Sequence, residues 1–112
     1  MHAFEVLGDP VRRRMVELLA GGELTAGEVG AAVQTEFGIS QPAVSQHLRV
    51  LRESGFATVR PQGTRRLYAL KPEPLADLDA WLDRFRRFWG PPLDALATEL
   101  ARGRPAQPKG DR

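Results

Sequence analysis

Three helix-start signals, each followed by a glycine stop, divide residues 9–55 into three short helices. Each start supplies a side-chain oxygen that can accept a hydrogen bond from a backbone N–H of the first turn: Asp9, Thr25 and Ser40. Pro10 and Pro42 fall in first turns, where no intrahelical N–H bond is lost, and Glu28 completes a capping box with Thr25. Each helix ends before a glycine: Gly21, Gly38 and Gly55. Such short connections predict a small cluster of packed helices.

Apolar side chains recur at three- and four-residue steps in these helices, the pattern of a helix with one face in a core. The predicted inward residues are Val11, Met15, Leu18, Leu19, Val29, Ala32, Val33, Phe37, Val44, Leu48 and Leu51. A chain of 112 residues can build one modest core. We therefore expect a single domain over residues 1–102, and a disordered tail over the Pro- and Gly-rich residues 103–112. His2 is expected to be disordered with the N-terminus.

A change of period after Gly55 predicts a two-stranded β-hairpin over residues 57–70. The segments FATVR and RRLYAL are typical of strands, and PQGT between them is typical of a turn. The helical period then returns in a long apolar seam: Leu75, Leu78, Leu82, Phe85, Trp89, Leu93, Leu96 and Leu100. Because Gly90-Pro91-Pro92 interrupts this seam, we expect a helix kinked there or two consecutive helices. The predicted fold class is mainly α with a small β-hairpin.

The composition argues against several classes of protein. The chain contains no cysteine, which removes thiolate catalysis, disulfides and sulfur-ligated metal sites. No apolar run reaches the roughly 20 residues that span a bilayer, and the N-terminus lacks a secretory signal, so we expect no membrane partner and a cytoplasmic location. The sequence shows no paired nucleophile and base, no Gly-rich phosphate loop and no metal triad. We therefore predict a protein that is not an enzyme and needs no cofactor.

Positive charge is concentrated in one stretch of the chain. Residues 37–72 contain six basic side chains and one acid, a balance of +5, whereas the remainder contains ten basic and thirteen acidic side chains, a balance of −3. Such clustering is typical of contact with a polyanion, although a solvated charged face gives the same pattern. The residue types on the third helix bear on this choice.

The outer face of the third helix carries hydrogen-bonding residues instead of a mixture of Glu and Lys. At about 100° per residue, these lie away from the inward stripe or at the leading end of the helix: Gln41, Ser45, Gln46, Arg49 and Arg52. Gln can pair with adenine, Arg with guanine, and Ser with a base edge or a phosphate. Two helices joined by a tight turn and followed by an Arg-flanked hairpin form the winged helix-turn-helix arrangement, which reads duplex DNA.

We predict that ten residues contact double-stranded DNA: Ser40, Gln41, Ser45, Gln46, His47, Arg49, Arg52, Arg60, Arg65 and Arg66. The three arginines of the hairpin would add affinity that is salt-sensitive and mostly independent of sequence. His47 lies on the flank of the apolar stripe, so it is either a partly buried helix histidine or a contact to phosphate or base.

The motifs between about Leu7 and about Leu100 resemble those of the ArsR family of bacterial winged helix-turn-helix repressors. They are DPVRRRMVELLA, the T-x-x-E start at Thr25, SQPAVSQHLRVLRESGF from Ser40 to Phe56, and RPQGTRRLYAL. The most specific part combines S-x-H-L with V-L-x-x-x-G ending at Gly55. The family's metal-sensing members use Cys near the recognition helix, or Asp and His on the last helix. This chain has no Cys, and its last helix carries Asp without His, so the resemblance implies a non-metal-sensing type.

The resemblance also implies a homodimer in which the first and last helices pair across a two-fold axis. The residues expected at that interface are Phe4, Leu7, Leu78, Trp81, Leu82, Phe85, Phe88, Trp89 and Leu93. Packing within one chain explains Leu78, Leu82 and Phe85 equally well. The two tryptophans and Phe88 favour a partner surface, because they widen the apolar stripe beyond what a small core covers.

The function predicted from the sequence is that of a transcriptional regulator. It would be a homodimeric repressor that binds a near-palindromic operator through helix 40–54 and the wing 57–70, with an effector that the sequence leaves open. The alternative is a winged-helix module that binds an acidic protein and has no specific DNA site. Gln, Ser and Arg on one helix face, together with Arg on both sides of the wing tip, favour the DNA-binding function.

Overall fold

The structure, a computed structural model, describes residues 2–90 and 98–101. The chain divides into two compact units, Met1–Leu78 and Asp79–Arg112. In chain order the elements are α1 (Ala3–Leu7), α2 (Pro10–Ala20), β1 (Leu24–Thr25), α3 (Ala26–Phe37), α4 (Gln41–Glu53), β2 (Ala57–Gln62), β3 (Arg65–Leu70), α5 (Glu73–Asp83) and a 3-10 turn (Arg86–Phe88). The predicted fold class is confirmed, since the elements are mainly helical with a small antiparallel sheet that forms the wing. The predicted tail at 103–112 lies outside the described residues.

The predicted capping residues begin the three central helices. Asp9 caps α2, Thr25 and Glu28 form the reciprocal capping box of α3, and Ser40 caps α4. Between α3 and α4, Gly38 takes the left-handed conformation with φ of 68° and donates its N–H to the carbonyl of Gln34. A residue with a Cβ would be strained there, so this glycine permits the tight turn that sets α4 across α3.

A buried core joins α1 to α4 with the sheet. It consists of Val6, Val11, Met15, Val16, Leu19, Val29, Val33, Val44, Leu48, Leu51, Phe56, Ala57 and Tyr68. Eight of the eleven inward residues predicted for the three central helices are buried, Leu18 and Ala32 are half-buried, and Phe37 alone is exposed. Phe37 is 39% exposed, because it is the last residue of α3, where the stripe runs out onto the surface.

A three-stranded antiparallel sheet takes the place of the predicted two-stranded hairpin. Its order is β1-β3-β2, with Leu24 of β1 opposite Tyr68 of β3. The turn is also tighter than the predicted PQGT, because β2 runs to Gln62 and leaves only Gly63 and Thr64 between the strands. Gly63 has φ of 62°, which is the positive value that a two-residue hairpin turn requires of its first residue.

The N-terminus forms a helix that the sequence did not predict, and the expectation that His2 is disordered is wrong. The Nδ1 atom of His2 accepts a hydrogen bond from the N–H of Phe4 at 3.1 Å. In return, Glu5 accepts one from the N–H of His2, also at 3.1 Å. This reciprocal pair of hydrogen bonds caps the start of α1, in the same way that a Ser or Thr paired with a Glu caps other helices.

The last predicted helix is shorter than its apolar seam. We expected helix up to Gly90, but α5 ends at Asp83 and a 3-10 turn follows. None of the residues of α5 is fully buried, and most of the stability of a helix in a protein comes from packing of its apolar face. The predicted interruption at Pro91-Pro92 lies outside the described residues, as does Leu93.

The crossing of α3 and α4 depends on a glycine in α3. A Cβ built on the buried Gly30 would lie 3.2 Å from Cγ1 of Val44, which is closer than ordinary packing allows. We expect Gly30→Val to lower the free energy of unfolding by about 1–3 kcal/mol, the usual cost of overpacking a core.

Chemical denaturation followed by circular dichroism measures this change, with Gly27→Val as the matched control. Gly27 lies in the same helix but is exposed, and its Cβ would meet only Oγ1 of Thr25 at 3.8 Å. This control should change the free energy of unfolding by no more than about 0.5 kcal/mol. Equal effects of the two substitutions would contradict the close crossing.

Candidate nucleic-acid interface

Helix α4 divides into an apolar face in the core and a polar face in solvent. Val44, Leu48 and Leu51 are buried. The predicted contact residues of the helix, apart from His47, are exposed: Ser40, Gln41, Ser45, Gln46, Arg49 and Arg52. The predicted orientation of the helix is therefore confirmed. Its exposed side carries hydrogen-bond donors and acceptors that can pair with the edges of bases.

A groove of about 340 Å³ runs between α4 and the wing. Its α4 side is formed by Gln41, Ser45, Arg49 and Arg52, and Arg66 of β3 faces them across it. The structure thus brings the polar face of α4 together with an arginine of the wing, although they lie far apart in sequence. Opposite walls of one groove carry cationic groups.

The arginines of this surface have their donors available. Within residues 2–90 and 98–101, the guanidinium groups of Arg49, Arg52, Arg65 and Arg66 form no hydrogen bond or ion pair, and all four side chains are exposed. Each guanidinium offers five N–H donors in a planar fork that matches phosphate oxygens or the edge of guanine. The free donors and the exposed polar face make this the best candidate surface for a nucleic acid.

Arg60 differs from the other wing arginines because a carboxylate of this chain already binds it. Its Nη2 and Nε atoms donate to the two carboxylate oxygens of Glu23, at 2.9 and 3.3 Å. These hydrogen bonds lower the pKa of Glu23 and raise the pKa of Arg60. A phosphate would have to displace Glu23 to reach Arg60. Sequence patterns did not reveal this pairing, since the two residues lie 37 positions apart.

Ser40 and His47 have structural partners within the chain. Oγ of Ser40 accepts a hydrogen bond from the N–H of Ala43 at 3.2 Å, so this side chain holds the start of α4. His47 is half-buried, and its Nδ1 atom lies 3.2 Å from Nη1 of Arg12. The partly buried histidine expected from the sequence is thus confirmed, and contact of His47 with DNA stays a prediction. Arg12 was missed because no local motif links it to α4.

The residues predicted for the dimer interface include most of the exposed apolar side chains among the described residues. In α1, Phe4 is 44% exposed. Around the end of α5, Trp81, Leu82 and Phe88 are 40%, 41% and 65% exposed. The other described members are partly buried: Leu7, Leu78, Phe85 and Trp89.

The described part of the chain offers neither a metal centre nor a membrane span. No three His, Cys, Asp or Glu side chains gather within residues 2–90 and 98–101 as ligands of a metal ion would. In the same residues, no helix has the length and apolar character needed to cross a bilayer.

The fold and the groove define a class of protein. A helix-turn-helix with an exposed polar second helix, beside a small sheet that carries unpaired arginines, is the architecture of winged helix-turn-helix DNA-binding proteins. The family model described as a helix-turn-helix domain matches residues 7–60.

Named relatives narrow the class to a family. The chain is 47% identical over 83 residues to the HTH-type transcriptional regulator Rv2034 of Mycobacterium tuberculosis, covering 74% of each chain. It is 32% identical over 84 residues to the transcriptional repressor SdpR of Bacillus subtilis, covering 75% of this chain and 89% of SdpR.

Solved structures agree with these relatives. A possible transcriptional regulator for arsenical resistance is 42% identical, with a TM-score of 0.65 and coverage of 88% of this chain and 96% of that one. A regulator of the ArsR family is 30% identical, with a TM-score of 0.66 and coverage of 78% and 86%. The chain belongs to the ArsR family of winged helix-turn-helix transcriptional regulators.

Proposed function

We propose that this chain is a homodimeric repressor that binds a near-palindromic DNA operator through α4 and the wing. The observation that carries the proposal is the groove between α4 and β3, where the exposed Gln41, Ser45 and Arg49 share one surface with Arg66. A repressor acts by occupying its site on DNA, so the proposal requires no catalysis and no cofactor. A protein that binds chromosomal DNA in a bacterium would be located in the cytoplasm.

The polar face of α4 is proposed to enter the major groove. There, Gln and Arg side chains can make bidentate pairs with adenine and guanine, so Gln46 and Arg49 would supply most of the sequence preference. The wing residues Arg65 and Arg66 would bind phosphates beside the helix, which adds affinity without reading bases. Arg60 is a weaker candidate for this role because Glu23 holds it.

A second copy of this chain is the partner proposed for the exposed apolar residues. Two-fold symmetry would place two α4 helices in successive major grooves, about 34 Å apart, which matches a palindromic site. Aromatic residues such as Trp81 and Phe88 are enriched at the centres of protein interfaces. The relative SdpR is a transcriptional repressor, which supports repression as the direction of regulation.

The affinity for a duplex from the promoter of the protein's own gene should fall steeply as the salt concentration rises. Arg52, Arg65 and Arg66 of two protomers offer enough cations for about six phosphate contacts, so the affinity should fall roughly a thousandfold between about 50 and 200 mM salt. Fluorescence anisotropy with a labelled duplex measures this dependence. Replacing both wing arginines by glutamine should flatten the salt dependence, and an affinity independent of salt would contradict the proposal.

A further inference from the structure

Arg12 connects three helices through a single guanidinium group. From α2, its Nε and Nη2 atoms donate to the carbonyl oxygens of Val6 and Glu5 in the last turn of α1, at 2.9 and 3.1 Å. Its Nη1 atom lies 3.2 Å from Nδ1 of His47 in α4. The carbonyls at the end of a helix have no partner within the helix, so a cationic donor is favourable there.

The contact with Arg12 determines which nitrogen of His47 carries the proton. A guanidinium group can only donate hydrogen bonds, so Nδ1 must accept. In a neutral imidazole, the proton then lies on Nε2, which becomes an N–H donor. This donor belongs to a half-buried ring on the flank of α4, beside the exposed Gln46. The opposite flank of the helix carries Ser45 and Arg52, which line the groove facing the wing.

We propose that Arg12 is a positioning residue for DNA binding: it holds His47 as the Nε2–H tautomer, whose N–H donates to a phosphate on the flank of α4 opposite the wing. The inference rests on the proposed function. A helix in the major groove has a phosphate backbone on each side, and the wing arginines serve only one of them. Because the same guanidinium holds the end of α1, it also links the region of Phe4 and Leu7, proposed for the dimer, to α4.

The neighbouring Arg13 provides a matched control. Its Nη1 atom donates to the carbonyl of Leu7 at 2.7 Å, so it also binds the end of α1 from α2. Within the described residues, it forms no hydrogen bond or ion pair with α4. Substituting either arginine by methionine removes a cation and its hydrogen bonding to the end of α1, which is two bonds for Arg12 and one for Arg13. Only Arg12→Met also removes the partner of His47.

The first measurement needs no DNA. The ¹⁵N spectrum of the neutral imidazole rings of the full chain, recorded at a pH above which the spectrum no longer changes, distinguishes the two tautomers. We expect the Nε2–H form for His47 in the wild-type chain and in Arg13→Met, and a mixture in Arg12→Met. A wild-type ring that carries its proton on Nδ1 would overturn the inference without any variant.

The second measurement compares affinities for the duplex that the wild-type chain selects. Arg12→Met should bind roughly two- to fivefold more weakly than Arg13→Met, because a ring that occupies both tautomers offers the Nε2–H donor to the phosphate for only part of the time. In a His47→Gln background, whose amide donates without any tautomer, the difference between the two arginine variants should disappear. Equal affinities of the two arginine variants when His47 is present, with duplex selection intact, would overturn only the Arg12 inference. Failure of the wild-type chain to select any duplex would instead overturn the proposed function.

Discussion

Replacing Arg49 by alanine is expected to lower the preference for the cognate duplex over random duplex by about 1–3 kcal/mol, or roughly five- to 150-fold. Arg49 is exposed on the outer face of α4, and its guanidinium is unpaired within the described residues, so little stability should be lost with it. A bidentate pair with guanine is the contact that would disappear. Competition titrations with cognate and scrambled duplexes measure the preference directly.

Arg65→Ala is the matched control for this prediction. Arg65 is also exposed and unpaired within residues 2–90 and 98–101, but it lies at the start of β3 in the wing. Its loss should weaken binding to both duplexes to a similar extent, because a phosphate contact carries no information about sequence. If Arg65→Ala lowered the preference as much as Arg49→Ala, reading of bases by α4 would be contradicted.

Replacing Trp81 by alanine is expected to raise the dissociation constant of the homodimer by roughly thirtyfold or more, or about 2 kcal/mol, the size typical of a central aromatic residue at an interface. Affinity for a palindromic duplex should fall with it, because a monomer contacts only one half-site. Sedimentation velocity over a range of concentrations measures the dimer, and titration of a full operator and of a half-operator measures the consequence.

Phe37→Ala is a close control for the effect of exposed aromatic surface. Phe37 is 39% exposed and Trp81 is 40% exposed, but Phe37 ends α3 and is not among the residues predicted for the interface. The substitution Phe37→Ala should therefore leave the dissociation constant of the dimer unchanged. A wild-type chain that remains monomeric at micromolar concentration would contradict the proposed dimer whatever the variants do.

The parts of the fold that local chemistry determines could be predicted from the sequence. Asp9, Thr25 and Ser40 each cap their own helix through a backbone N–H within three residues, so the signal and the structure lie in one short segment. The inward and outward faces of α4 likewise follow from the helical period alone. The starts of the three central helices and the candidate DNA-binding face were predicted correctly for this reason.

The elements that were missed depend on partners distant in sequence or on unusual caps. Strand β1 has only two residues, too few for an alternating pattern, and exists because β3 pairs with it. Helix α1 begins with His2 as its cap, a role more common for Ser, Thr, Asp or Asn. The early end of α5 reflects a lack of burial, which an apolar seam in the sequence does not reveal.

The candidate site shows the same division. The exposed residues of α4 and the wing were identified by type and period, but their shared groove required the structure. The contacts of Glu23 with Arg60 and of Arg12 with His47 join residues 37 and 35 positions apart. No pattern in a single sequence distinguishes a paired arginine from a free one, so Arg60 was ranked with Arg65 and Arg66.

Selection of DNA fragments from the native genome by the purified chain tests the central claim most directly. The account predicts strong enrichment of a few duplexes that share a near-palindromic motif, with half-sites about one helical turn apart. It also predicts that Arg49→Ala loses this enrichment while Arg65→Ala keeps the same motif. Recovery of random fragments alone, at a salt concentration of about 150 mM, would contradict sequence-specific binding and would favour a winged-helix module with a protein partner.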